Sequence, residues 1–262
     1  MSITTSIESS SIPTSYLTRF TRQTNKRSDA LIEIFLIGYF LFGLAIASQY
    51  DTWFIAITIG GILMAIYFLA KRMFSGGTVH QFVASAVVGV FMGQFIYQTH
   101  GLFEMHFFAF IGATLLITYQ NWKVQIPLAI VIVLHHAVFG YLQYITFIQN
   151  GAGKVYFTQL NYMDIHTFIM HCFLAVIILV ICCLWAYELK KRTVENAKNI
   201  HAVEELSINF SKNLEFANML ANGVYDQATE VDRKDPFAVV LVELQEKLKA
   251  TRVANSVDLN GK

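Results

Sequence analysis

Apolar stretches separated by short polar breaks dominate the first 190 residues. They run Leu31–Gln49, Trp53–Ala70, Val79–Gln98, Phe103–Tyr119, Val124–Gln143 and Ile165–Tyr187. A helix crossing the roughly 30 Å hydrocarbon core of a bilayer needs about 20 mostly apolar residues. The fourth stretch is short and is expected to tilt little or to continue into its flanks. One such run is compatible with a buried soluble helix, but six in succession predict an all-α polytopic membrane domain of six transmembrane helices over residues 31–189. Beyond Arg192 the pattern changes. Val203, Leu206, Phe210, Ala217 and Leu220 lie at heptad-compatible spacings, interrupted by Asn213. After a break at Gly223, Phe237, Leu241, Leu244 and Leu248 repeat at intervals of 4, 3 and 4. That is the a/d seam of a coiled coil. Two short amphipathic helices joined by a connector cannot bury such seams alone. Residues 190–255 are therefore expected to need a partner, most simply a second copy of the chain in a homodimer. Residues 1–30 form a polar N-terminal segment and 256–262 a tail.

Composition sharpens this reading. Of 262 residues 55% are hydrophobic and 14% charged, with mean hydropathy +0.49. A soluble domain carries about 25% charged residues, so this chain has too little charge to cover a soluble surface. A net charge of +1 gives no nucleic-acid signal, and no basic aromatic patch argues for one, so no nucleic-acid partner is expected. Cys172, Cys182 and Cys183 lie in one apolar run and read as packing residues rather than a disulfide framework. No short apolar core with a small-residue cleavage site precedes the first span, which is expected to act as its own insertion signal.

Lys and Arg in the short connections set orientation. One side holds Arg19, Arg22, Lys26, Arg27, Lys71, Arg72, Lys123, Lys190, Lys191 and Arg192, and the other only Lys154. Both termini are therefore expected in the cytoplasm. The outer connections are Tyr50–Thr52, Thr99–Leu102 and Tyr144–Asp164. The last carries Tyr144, Phe147, Tyr156, Phe157 and Tyr162, aromatics suited to the headgroup level, and a turn at Gly151-Ala-Gly153.

Six histidines then fall in the outer half. At 1.5 Å per residue, His135 lies roughly 17 Å from the inner side and His171 about 9 Å below the outer end of its span. His100, Glu104 and His106 cluster at the start of the fourth span, His136 adjoins His135, and His166 stands at the entrance of the sixth. His80 belongs at the inner end, as a loop residue, and His201 in the tail. A lone membrane histidine is more often a hydrogen-bonded packing residue than a ligand, but intramembrane ionisable groups mark function. Glu104 needs a cation, a proton or a metal at that depth, and histidines are the partners within reach. His100, Glu104, His106, His135, His136, His166 and His171 are therefore candidate metal ligands. Neutral imidazole suits Zn, Cu, Fe and Ni. One tetrahedral ion takes four ligands, so seven donors imply two ions, or one ion with supporting partners. Consecutive residues point about 100° apart on a helix. His135 and His136 are thus able to serve two ions, or one ligates while the other hydrogen-bonds. Haem b between two axial histidines is the alternative, and it leaves the remaining histidines and Glu104 without a role. A membrane metal-dependent oxidoreductase is weaker, since repeated HxxHH boxes are absent.

The run His100-Gly-Leu-Phe-Glu104-Met-His106-Phe-Phe, followed by Tyr119-Gln-Asn-Trp122 and His135-His136, resembles a six-helix membrane sensor segment. That segment is found ahead of chemoreceptor, histidine-kinase and diguanylate-cyclase outputs in bacteria. The resemblance covers roughly residues 80–190 and implies a sensory input domain in a bacterial inner membrane. The tail resembles a HAMP signalling domain. Gly223, Tyr225 and Val231 match the connector glycine and its two hydrophobic anchors, and Lys234-Asp235-Pro236-Phe237-Ala238 stands where the second helix opens. Ala238 replaces the usual glycine, and no proline starts the first helix. A plain dimeric coiled coil is the other reading.

The expectation is a transmembrane receptor. Its metal centre senses a small ligand, redox state or metal supply and relays the change through the sixth span to the dimeric tail. No phosphate-cradling glycine loop or metal–nucleotide motif follows. Enzymatic output is therefore expected from a downstream effector domain or partner chain, not from these residues.

Overall fold

The computed structural model describes residues 13–74, 76–148, 156–159, 164–227, 232 and 235–259. The expected turn at Gly151–Gly153, together with Lys154, Tyr162, Val231 and Lys234, lies outside the described residues.

The described chain is helical, without a strand among those residues. Its helices are α1 Thr14–Tyr50, α2 Trp53–Phe74, α3 Thr78–Gln98, α4 Phe107–Leu116, α5 Gln125–Ile148, α6 Ile165–Ala221 and α7 Pro236–Leu259. Short 3₁₀ turns flank α4 at Phe103–His106 and Ile117–Tyr119, and another, Trp122–Val124, leads into α5. Five helical segments are long and apolar enough to cross a membrane, Thr14–Tyr50, Trp53–Phe74, Thr78–Gln98, Trp122–Thr146 and Ile165–Ala221. The expected fourth span, Phe103–Tyr119, is shorter than these.

Four boundaries differ from the hydropathy reading, among them α2, which continues to Phe74, and α6, which continues to Ala221. The first helix starts at Thr14 rather than Leu31. Its polar extension is docked, with Ser28 Oγ donating to Thr118 O at 2.7 Å and Tyr119 Oη to Asp29 Oδ1 at 2.9 Å. The expected loop from Tyr144 begins later, because α5 continues to Ile148.

The described residues form two compact units, 13–194 and 195–259. In the first, α3 is the central helix and packs against α1, α2, α4 and α5. Two-thirds of its most apolar window is buried, against 6% for α6. Glycines permit the close approach of its neighbours, since a Cβ at Gly89 would meet Val131 at 3.0 Å, and one at Gly112 would collide with Val88. Small residues at such crossings are how helices pack in lipid, where the hydrophobic effect does not drive association. Tyr39, Phe42, Phe91, Phe95 and Phe108 interlock beside α3, mostly edge to face, with ring centroids 4.8–6.0 Å apart. The first part of α6 meets this core through Cys182, Ile178 and Leu179.

In the second unit α6 ends in a Schellman turn, with Gly223 at φ 79° and Val224 N donating to Met219 O at 3.0 Å. Phe216, Leu220 and Leu241 form a small core, with Tyr225 and Leu248 packed on it. Asp235, at the start of α7, accepts from Asn213, which precedes the end of α6, while Gln245 Nε2 donates to Tyr225 O at 2.8 Å, beyond that end. The two helices therefore run in the same direction. Asn213, an interruption in the heptad stripe, is buried and tied to the cap of α7.

Candidate metal centre

Three histidines from three elements converge. His106 sits at the end of the 3₁₀ turn before α4, His136 in α5 and His171 in α6. One ring nitrogen of each lies within 4.8 Å of the others. His106 and His136 are buried and His171 is half-buried. The backbone sets the tautomers. His136 Nδ1 lies 2.7 Å from Ile132 O and His106 Nδ1 lies 3.1 Å from Phe103 O. A carbonyl only accepts, so both Nδ1 atoms carry the proton and both Nε2 atoms present lone pairs. His136 Nε2 is 3.3 Å from His171 Nε2. Two nitrogens bound to one tetrahedral ion at 2.0–2.1 Å stand about 3.4 Å apart, so this edge already has the spacing of a shared ion. Three imidazoles leave a fourth position for an exchangeable ligand.

A strap covers the centre. Phe157 is buried and packs its ring 5.4 Å from His106 and 5.0 Å from His136. Gln143 on α5 holds the strap, accepting from Phe157 N and Thr158 N at 2.8 Å each and donating to Thr158 O at 2.9 Å. Gln159 N donates to Gly101 O at 2.9 Å. Gly101 has φ 81°, and a Cβ there would lie 2.6 Å from Thr158 C. This position accepts glycine for both reasons.

The other expected ligands stand elsewhere. His100 is exposed, occupies the left-handed position that ends α3 (φ 55°) and lies between Tyr50 and Tyr156, 5.5 and 4.6 Å ring to ring. Glu104 is exposed on the 3₁₀ turn and His166 is exposed in the first turn of α6. Neither joins the three-histidine group. His135 is buried and stacks on Phe139 at 4.7 Å, with its ring 5.7 Å from that of His136, but it does not join the three-histidine group. Of the adjacent pair only His136 belongs to the group, and both ring nitrogens of His135 lack a hydrogen-bond partner among the described residues.

A second polar group was not anticipated. Towards the other end of the bundle, Glu33 on α1 pairs with Lys71 and accepts from Tyr67 Oη at 3.2 Å, both on α2. Asp29 accepts from Tyr119 and lies 3.5 Å from His80 Nδ1. His80, expected to be a loop residue, is fully buried on α3 with its ring 5.2 Å from Tyr67. The available signal was the pair Asp29 and Glu33, one helical turn apart at the entrance of the first apolar run, which hydropathy alone passes over.

No family model matches this sequence, and no curated protein or solved structure matches it either.

Proposed function

We propose that this chain is the membrane-embedded input of a signalling receptor. His106, His136 and His171 bind a transition-metal ion, and changes in its ligation move α6. One observation carries the reading: α6, the least buried of the apolar helices, contributes the third imidazole to a pair held by the core. A ligand-exchange or redox event at the ion has a differential interaction with two positions of α6, which any relay requires. The bundle spans the bacterial inner membrane with both termini cytoplasmic. Phe103–Tyr119 crosses as well, its 3₁₀ ends at 2.0 Å per residue extending its reach to about 29 Å.

Continuation of α6 to Ala221 couples the centre to a HAMP-like parallel dimer. Val203, Leu206 and Phe210 are each more than 60% exposed in the single chain, an apolar stripe that a second copy covers. An effector domain or partner chain reads the dimer. The 3.3 Å separation of His136 Nε2 and His171 Nε2 supports a non-haem ion. The two ligating nitrogens on opposite faces of a haem would be about 4 Å apart, twice a metal–imidazole bond.

Metal analysis with an absorption spectrum of the purified chain tests this. One metal ion per chain, lost in His136→Ala, is expected, without a Soret band. A Soret band selects haem b, and a chain free of both metal and haem overturns the reading.

A further inference from the structure

Two surfaces of opposite character share one face of α1. Ser28 Oγ donates to Thr118 O, and Thr21 Oγ1 accepts from Lys190 Nζ at 3.1 Å. Thr21 and Ser28 are seven residues apart, so they mark the same side of the helix, the side docked on its neighbours. At 100° per residue, Arg19, Arg22, Lys26 and Arg27 lie within about 80° of the opposite direction. Further along α1, Ile34, Ile37 and Leu41 lie within about 60° of that direction. The four cations are exposed, and the three apolar residues are 46–67% exposed. The face that α1 turns to lipid therefore continues, past the end of the apolar run, as a basic face.

The charge on this face is uncompensated. Between Glu8 and Asp29 the sequence holds no acid. None of the four cations pairs with an acid among the described residues. Like charges three or four residues apart on a helix destabilise it, and an anion between them relieves that. The apolar run opens at Leu31, so Lys26 and Arg27 stand about 6–8 Å before it. One headgroup layer is about 5–8 Å thick. Arg22 and Arg19 follow at about 6 and 11 Å beyond Lys26, roughly one Debye length.

We propose that this face of α1 binds anionic phospholipid, with the acyl chains along Ile34, Ile37 and Leu41 and the phosphate at Lys26 and Arg27. Guanidinium forks match phosphate oxygens, and a zwitterionic headgroup brings its own cation, so the surface selects lipids of net negative charge. Nucleic acid or an acidic protein complements the charge but not the apolar continuation of the same face. The surface rests on the membrane placement of α1 and not on the metal ion.

Native mass spectrometry of the full chain in detergent tests this, with parallel titrations of phosphatidylglycerol and phosphatidylcholine of the same acyl chains. The wild-type chain is expected to bind phosphatidylglycerol about tenfold more tightly. Joint replacement Arg19→Gln, Arg22→Gln, Lys26→Gln and Arg27→Gln removes most of that preference. Ala30→Glu sets a carboxylate between the basic and apolar stretches of the exposed face, and lowers the preference several-fold. Lys247→Gln with Lys249→Gln removes charge from the tail and leaves the preference intact. Glycerol phosphate, a headgroup without chains, does not compete. Equal affinity for the two lipids overturns the proposal. So does an undiminished preference in the fourfold variant, an equal loss in the tail variant, or competition by glycerol phosphate. A wild-type chain that keeps the preference without holding metal counts against the metal reading alone.

Discussion

His136 Nε2 faces His171 Nε2 at 3.3 Å while His136 Nδ1 is committed to Ile132 O. The lone pair of His136 therefore points at α6. Either His171 donates a proton to it or both nitrogens share a cation. In both cases the contact ties α6 to α5 at this level.

The first prediction separates ligands from neighbours. His106→Ala, His136→Ala and His171→Ala each lose bound metal. His100→Ala, Glu104→Gln and His166→Ala keep it, because these side chains lie outside the three-histidine group. Metal-to-protein ratios on purified variants decide the point, and retention of metal by His136→Ala would sink the assignment.

Removal of the ion should loosen α6. Its apolar window is 6% buried, so little packing replaces a lost ligand bond. Chelation is expected to raise hydrogen exchange over residues 165–175 and leave α3 protected. Equal exchange with and without chelator would show that the ion does not hold the helix.

Gly101→Ala should be costly. Its φ of 81° strains any residue with a Cβ, and that Cβ meets Thr158 backbone at 2.6 Å. A loss of about 1–3 kcal/mol is expected, read as a lower melting temperature in detergent. Displacement of Phe157 would also speed metal exchange. A neutral effect on both would mean that the strap does not seal the site.

The Glu33–Lys71 pair offers a double-mutant cycle. Lys71→Met leaves the Glu33 carboxylate with Tyr67 alone and should destabilise by about 1–3 kcal/mol. Glu33→Gln combined with Lys71→Met should recover much of that, since removing both charges also removes their desolvation. The Lys71 side chain is 37% exposed, which keeps the effect at the lower end. Additive losses would show that the two groups act separately.

Asp164 caps α6 outside the span, accepting from His166 N and Thr167 N at 3.0 Å and from Thr167 Oγ1. The Thr167 hydroxyl and amide hold its carboxyl below the usual carboxylate range. A depressed folded pKa means that the cap is fully present above the unfolded value of about 3.9 and is lost as pH falls below it. A spin label at Ile165→Cys should gain mobility on acidification through that window. Asp164→Asn, which keeps an acceptor without a charge, should flatten the response.

The apolar runs alone determined the helical architecture and most helix ends within the bundle. A span must be long and apolar whatever it packs against, so α2 and α3 begin within one residue of expectation. Periodicity likewise marked the buried Leu220 and Leu241 and the turn at Gly223. Depth along the chain also selected His106, His136 and His171, which the structure brings together.

Rotation about each helix axis was decided by the tertiary structure. Depth fixes one coordinate, while a ligand set needs three. His135 and His136 are adjacent, yet only His136 joins His106 and His171, because one residue turns the helix by about 100°. His100 and Glu104 are near His106 in sequence but are carried outward by the end of α3 and the 3₁₀ turn. The pairing of Asp29 with Tyr119 and His80, and of Glu33 with Lys71, depends on which helices are neighbours. No periodicity in a single chain encodes that choice, because it follows from close packing around α3 and its small residues.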